Sequence, residues 1–80
     1  MVSLKNFIKN DKTLECDFYP DNKDENKCHI IIDKDTEEIV SVSVPETVEC
    51  YNMDIGGART VLARYIDKDS FPDIDYYICG

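Results

Sequence analysis

The spacing of apolar side chains restricts this chain more than any other feature. Between residues 13 and 44 they recur at every second position; from residue 55 they recur at every third or fourth. A period of two sets one face of an extended chain on a core and the other in water, and a period near 3.6 draws a stripe along a helix. Over residues 13–19, Leu14, Cys16 and Phe18 alternate with Glu15, Asp17 and Tyr19. Over residues 28–33, Cys28, Ile30 and Ile32 share one face, and His29 and Ile31 the other. Over residues 39–44, Val40, Val42 and Val44 point inward and Ser41 and Ser43 outward, until Pro45, which lacks a ladder donor, ends the strand. Residues 20–27 and 33–38 are polar and read as connections.

Ile55, Ala58, Val61, Leu62, Tyr65 and Ile66 fall within about 140° of helical arc. Asp54 is the expected N-cap, and Ser70-Phe71-Pro72 stops the helix near Lys68. Residues 2–8 mix Val2, Leu4, Phe7 and Ile8 with lysine and read as a short edge strand. Residues 74–79 form a last strand, with Ile74, Tyr76 and Ile78 inward and Asp75, Tyr77 and Cys79 outward. The order β-β-β-β-α-β predicts an α+β fold: one domain over residues 1–80, with an antiparallel sheet of four to five strands packed against one helix.

Eighty residues bury roughly 60 to 65% of the surface of the unfolded chain. That leaves little room for an internal pocket of the usual size, about 300 Å³ or more. The net charge of −8 is uneven. Residues 1–20 are neutral overall, residues 21–50 carry −6 and residues 51–80 carry −2. A field of that sign repels nucleic acid and anionic membrane and draws in basic partners.

Sites for chemistry are thin. Cys16, Cys28, Cys50 and Cys79 are scattered, with no C-x-x-C pair. Cys28 and His29 are strand neighbours and point to opposite faces, which disfavours a shared metal or a thiol dyad. His29 reads as a surface strand residue. Asp33-Lys34-Asp35-Thr36-Glu37 begins like a calcium loop, but Glu38 stands where glycine is needed and Val44 where a bidentate glutamate is needed. No acid is expected to be buried for acid–base work. Gly56-Gly57 lacks the pattern of a phosphate loop and suits close packing of a helix on a sheet. No cofactor or metal is expected, and no enzyme is indicated. The start of the chain lacks the apolar run of a signal peptide, so reduced thiols and a cytoplasmic setting are expected. No apolar stretch is long enough to span a membrane.

Three pieces resemble a group of small uncharacterised proteins from Firmicutes genomes and their mobile elements: Ser3-Leu4-Lys5-Asn6-Phe7, Glu15-Cys16-Asp17-Phe18-Tyr19-Pro20-Asp21 and Gly57-Ala58-Arg59. The resemblance implies a phage- or element-borne accessory protein, working in the host cytoplasm, and transfers no functional residues.

The functional expectation is a non-enzymatic acidic protein that docks on a basic protein surface. Tyr19 and Tyr77 on outward strand positions, with Asp21, Asp24, Glu25, Asp33, Asp35, Glu37 and Glu38, form the expected interaction set. A phage inhibitor that blocks a nucleic-acid-binding enzyme, as anti-CRISPR proteins do, fits the size and charge. Two alternatives are a structural or oligomerising domain, self-pairing through an open edge at the amino-terminal strand or at residues 76–79, and a small metal- or thiol-dependent protein.

Overall fold

The computed structural model describes residues 1–78. The expected α+β architecture is present. Strands β1 (Val2–Lys9), β2 (Thr13–Tyr19), β3 (Cys28–Asp33) and β4 (Ile39–Ser43) form an antiparallel meander. Helix α1 (Asn52–Ala63) follows, and β5 (Ile74–Tyr77) returns to pair antiparallel with β1. The sheet order is β4-β3-β2-β1-β5. β1 therefore lies between β2 and β5 and is not the edge expected from the sequence; the two edges are β4 and β5. Cys79, placed on the last strand by its alternation, lies outside the described residues.

The period-two reading of β2 and β3 holds. Leu14, Cys16 and Phe18 stand opposite Ile32, Ile30 and Cys28. These six, with Val2 and Leu4, make the buried sheet face, which Ala58, Val61 and Leu62 of α1 cover. Fully burying a side chain of this kind contributes about 1.5–3 kcal/mol, so this layer drives folding. α1 starts earlier than the sequence suggests. Asp54 sits inside the helix rather than capping it from outside, and its carboxylate accepts the Tyr51 N–H at 2.9 Å.

Three registers depart from simple alternation. In β1, Lys5 pairs with Asp17 but Ile8 with Glu15, so Asn6 and Phe7 together oppose Cys16. Asn6 takes the left-handed conformation (φ 58°) that asparagine tolerates better than most residues. This bulge turns Phe7 toward the core side, where strict alternation from Leu4 would have put Asn6. In β4, Ile32 pairs with Ile39 and Ile31 with Ser41, so Val40 is an extra residue and is exposed rather than inward.

In β5 the expected faces are reversed. Tyr77 lies opposite Val2 and packs on α1, whereas Tyr76 lies opposite Ser3 on the open face. The reason is Gly57: a Cβ built there would lie 2.6 Å or less from three ring atoms of Tyr77. The missing side chain makes the space that the ring fills.

Candidate protein-interaction surface

A meander sends successive connections to opposite ends of its sheet. The expected interaction set divides accordingly. Asp21, Asp24 and Glu25 lie on the β2–β3 connection, and Asp33, Asp35, Glu37 and Glu38 lie at the β3–β4 turn. The six residues of β3 separate them by about 17–20 Å at 3.3–3.4 Å per residue. The two tyrosines join neither group as exposed anchors. Tyr77 is half-buried beneath α1, as described. Tyr19 is only 7% exposed, because the Lys5 ammonium lies 5.1 Å from its ring centroid and the 3-10 turn Pro20–Asn22 closes over the strand end.

At the β2–β3 end, other residues complete a surface that sequence reading missed. Tyr51 is 61% exposed and sits just before α1. Its hydroxyl donates a hydrogen bond to Glu49. Its phenol pKa is raised, first by that hydrogen bond, then by the Glu49 charge, and further by the charges of Asp21 and Asp54. The β2–β3 connection, the crossover before α1 and the first helical turn thus bring carboxylates together around one exposed ring. Three basic groups lie here: Lys5 pairs with Asp24 at 3.4 Å, Lys27 is drawn to Asp17 at 3.7 Å, and the exposed Lys23 forms no ion pair among the described residues. Asp21 and Glu25 form no ion pair among the described residues. No local pattern singled out Tyr51: a capping box has Ser or Thr at the position it occupies, and here only Asp54 bonds back, to the Tyr51 N–H.

The β3–β4 end is organised differently. The Asp33 carboxylate accepts the N–H groups of Asp35 (2.8 Å) and Thr36 (3.0 Å), and these bonds hold its pKa below the usual range. Asp33 is therefore committed to the turn. Lys34 donates to the Asn10 carbonyl at 3.0 Å, and Arg59 reaches the Glu37 carbonyl at 3.5 Å. Cations are interleaved with the acids at this end, which weakens its outward field.

The open sheet face carries a third arrangement. His29 stands between two carboxylates of β2, with Nδ1 2.8 Å from Asp17 Oδ1 and Nε2 2.8 Å from Glu15 Oε2. Asn6 donates to Asp17 Oδ2 at 2.8 Å and Asn10 to Glu15 Oε1 at 3.0 Å. Asp17 is only 8% exposed, against the expectation that acids here stay in water. Burial pulls the His29 pKa down, but the hydrogen bonds to Glu15 and Asp17 outweigh it and leave the pKa raised. Burial likewise pushes Asp17 up, and Asn6, His29 and Lys27 more than reverse that. Glu15 is lowered, chiefly by its bond to His29. The two carboxylates are engaged by His29, Asn6, Asn10 and Lys27 and offer little to a partner.

The thiols are quiet. Burial pushes Cys16 far up and Cys28 to about 11, the latter helped by the neighbouring Cys50 thiol. Among the described residues, no group of three or more His, Cys, Asp or Glu side chains could hold a metal ion. No described helix is long and apolar enough to cross a membrane. Comparison with protein-family models, with curated proteins and with solved structures finds no match.

Proposed function

We propose that this chain is a non-enzymatic acidic binding protein that docks on a basic protein surface through the β2–β3 end of its sheet. The observation that carries the reading is the exposed Tyr51 ring set among Glu49, Asp54 and Asp21. A rigid aromatic anchor with complementary charge around it is the composition of a protein interface. Inhibition of a nucleic-acid-binding enzyme is the form of docking that best suits this charge, because carboxylates can occupy a Lys/Arg channel that otherwise holds phosphates.

The test compares two charge-neutralised variants in capture from a lysate of the source cell. Asp21→Asn/Asp24→Asn/Glu25→Gln alters the proposed surface. Asp35→Asn/Glu37→Gln/Glu38→Gln alters the other end. Only the first should lose basic partners, and the wild type should lose them as salt rises from about 0.05 to 0.5 M, since screening lengths shrink across that range. Partners retained by the first variant, or insensitive to salt, would reject the reading.

The β4 edge supports a second reading, self-association. Residues 39–44 of this edge carry no charge, and Ile39, Val40 and Val44 are exposed. Uncharged edges of this kind pair with other strands. Sedimentation over a wide concentration range tests it: a mass that stays monomeric throughout excludes it.

A further inference from the structure

At the other end of the molecule from Tyr51, three aromatic rings meet beside a small cavity. Phe7 lies 5.1 Å from Tyr65 and 5.9 Å from Phe71, centroid to centroid, and Tyr65 lies 6.1 Å from Phe71. The Phe7 and Phe71 planes are only 22° apart. A cavity of about 240 Å³ opens against them, lined by Asn6, Phe7, Phe71, Pro72 and Asp73.

Each wall has a structural origin. The bulge at Asn6 swings Phe7 to this side of β1, at the expense of a left-handed asparagine. Asn6 is anchored from behind, because its Nδ2 donates to the nearly buried Asp17. Pro72 stiffens the segment that carries Phe71 and Asp73. Of the two acids nearby, Asp75 is already engaged: it accepts the Tyr65 hydroxyl, whose pKa that bond raises to about 12, and its own chain's Tyr76 N–H at 2.8 Å. Asp73 is exposed and forms no hydrogen bond or ion pair among the described residues. The cavity, open to solvent on one side, therefore combines two aromatic rings, a proline, the Asn6 side chain and an uncommitted carboxylate.

The geometry points to a binding site for the guanidinium group of an arginine side chain presented by a partner protein. Aromatic rings attract cations, and a planar guanidinium can stack on a ring while its N–H fork meets a carboxylate. The volume suits a side chain rather than a drug-sized ligand, for which about 300 Å³ is the lower bound. Asp73 and the net charge of −8 disfavour an anion. This site goes beyond the Tyr51 surface and is independent of it, since the registers of β1 and β2 place the two at opposite ends of the sheet.

The probe is arginine amide, compared with citrulline amide, its neutral isostere, by NMR of the Phe7 and Phe71 ring signals. Arginine amide should give saturable shifts at low salt, with a Kd on the order of 1 mM. Asp73→Asn should weaken it about fivefold or more through loss of the charge-assisted bond. Asp73 is exposed and forms no hydrogen bond or ion pair among the described residues, so this variant keeps the fold, whereas Phe71→Ala removes a ring that packs on the core. Equal shifts from citrulline amide, no saturation, or an unchanged Kd in Asp73→Asn would each overturn the site. Neutralising Asp21, Asp24 and Glu25 should leave arginine-amide binding intact, so this test and the test of the docking surface fail separately.

Discussion

The paired glycines in the second turn of α1 allow a sharp test of how the helix sits on the sheet. Gly56 and Gly57 are adjacent, both helical and chemically identical, yet their surroundings differ. A Cβ at Gly56 meets nothing within 4 Å, and one at Gly57 lies 2.6 Å or less from three Tyr77 ring atoms, including Cγ. Cγ is one bond from the Tyr77 Cβ, so the ring cannot swing clear without moving β5. Gly56→Ala should stabilise the fold by about 0.5–1 kcal/mol, because alanine is the better helix former. Gly57→Ala gains the same propensity but overpacks the interface, at a cost of about 1–3 kcal/mol. Its net effect should be a loss, of up to about 2.5 kcal/mol when the two are combined, so the variants differ in sign. Urea unfolding followed by far-UV circular dichroism reads both. In thermal melts each kcal/mol should move Tm by about 4–8 °C for a domain of this size. A second cycle isolates the cause: in a Tyr77→Ala background, Gly57→Ala should turn from loss to gain. Two alanine variants that shift stability in the same direction would refute the reasoning that Tyr77 occupies the space of a missing side chain.

Two further outcomes concern titration and thiols. His29 holds its proton more tightly when folded, so its contribution is full below its ordinary pKa of about 6.5 and is lost as pH rises through the raised folded value; Glu15 and Asp17, both lowered, contribute above about pH 4 and lose that contribution on acidification. Stability should therefore peak near pH 5–6, and His29→Gln should flatten the decline between about pH 6 and 8; an unchanged alkaline slope would remove His29 as its source. In native protein at neutral pH, burial raises the pKa of Cys16, Cys28 and Cys50 alike, so among these three alkylation should be slow at the buried Cys16 and Cys28 and faster at Cys50 because it is partly exposed. Mass-spectrometric mapping showing Cys16 modified first would contradict the buried placement.

The core was legible because it is local. Leu14, Cys16 and Phe18, the matching residues of β3, and the Ala58, Val61 and Leu62 stripe each declare a face through their own neighbours in sequence. What escaped depended on residues far along the chain. The face of Tyr77 is decided by Gly57, twenty positions earlier, and β5 offers tyrosine on both faces, so alternation alone had nothing to choose between. Tyr19 sits on the outward face as its alternation implies, yet Lys5 and the following turn cover it. The placement of β5 beside β1 has no local signal at all. The division of the acids, by contrast, was deducible. A meander assigned over residues 13–44 already requires its two successive connections to point opposite ways.

That division changes what charge means for this molecule. The segment from residue 21 to 50 holds a surplus of six negative charges, but a surplus does not by itself make a field. On the open sheet face, Glu15 and Asp17 are held by His29 at hydrogen-bond distance, and Lys27 lies at ion-pair distance from Asp17. At the β3–β4 turn, Asp33 is consumed by backbone N–H groups, and Lys34 and Arg59 stand among its neighbours. At the β2–β3 end Asp21, Asp24, Glu25, Glu49 and Asp54 outnumber Lys5, Lys23 and Lys27, and there an exposed ring, Tyr51, accompanies the carboxylates. An approaching basic surface experiences potential within about 10 Å at 0.1 M salt, less than the length of β3. On the proposed docking, a variant that moves one lysine from the turn to the β2–β3 end keeps the total at −8 and should weaken the capture of basic partners; unchanged capture would count against a role for the local field.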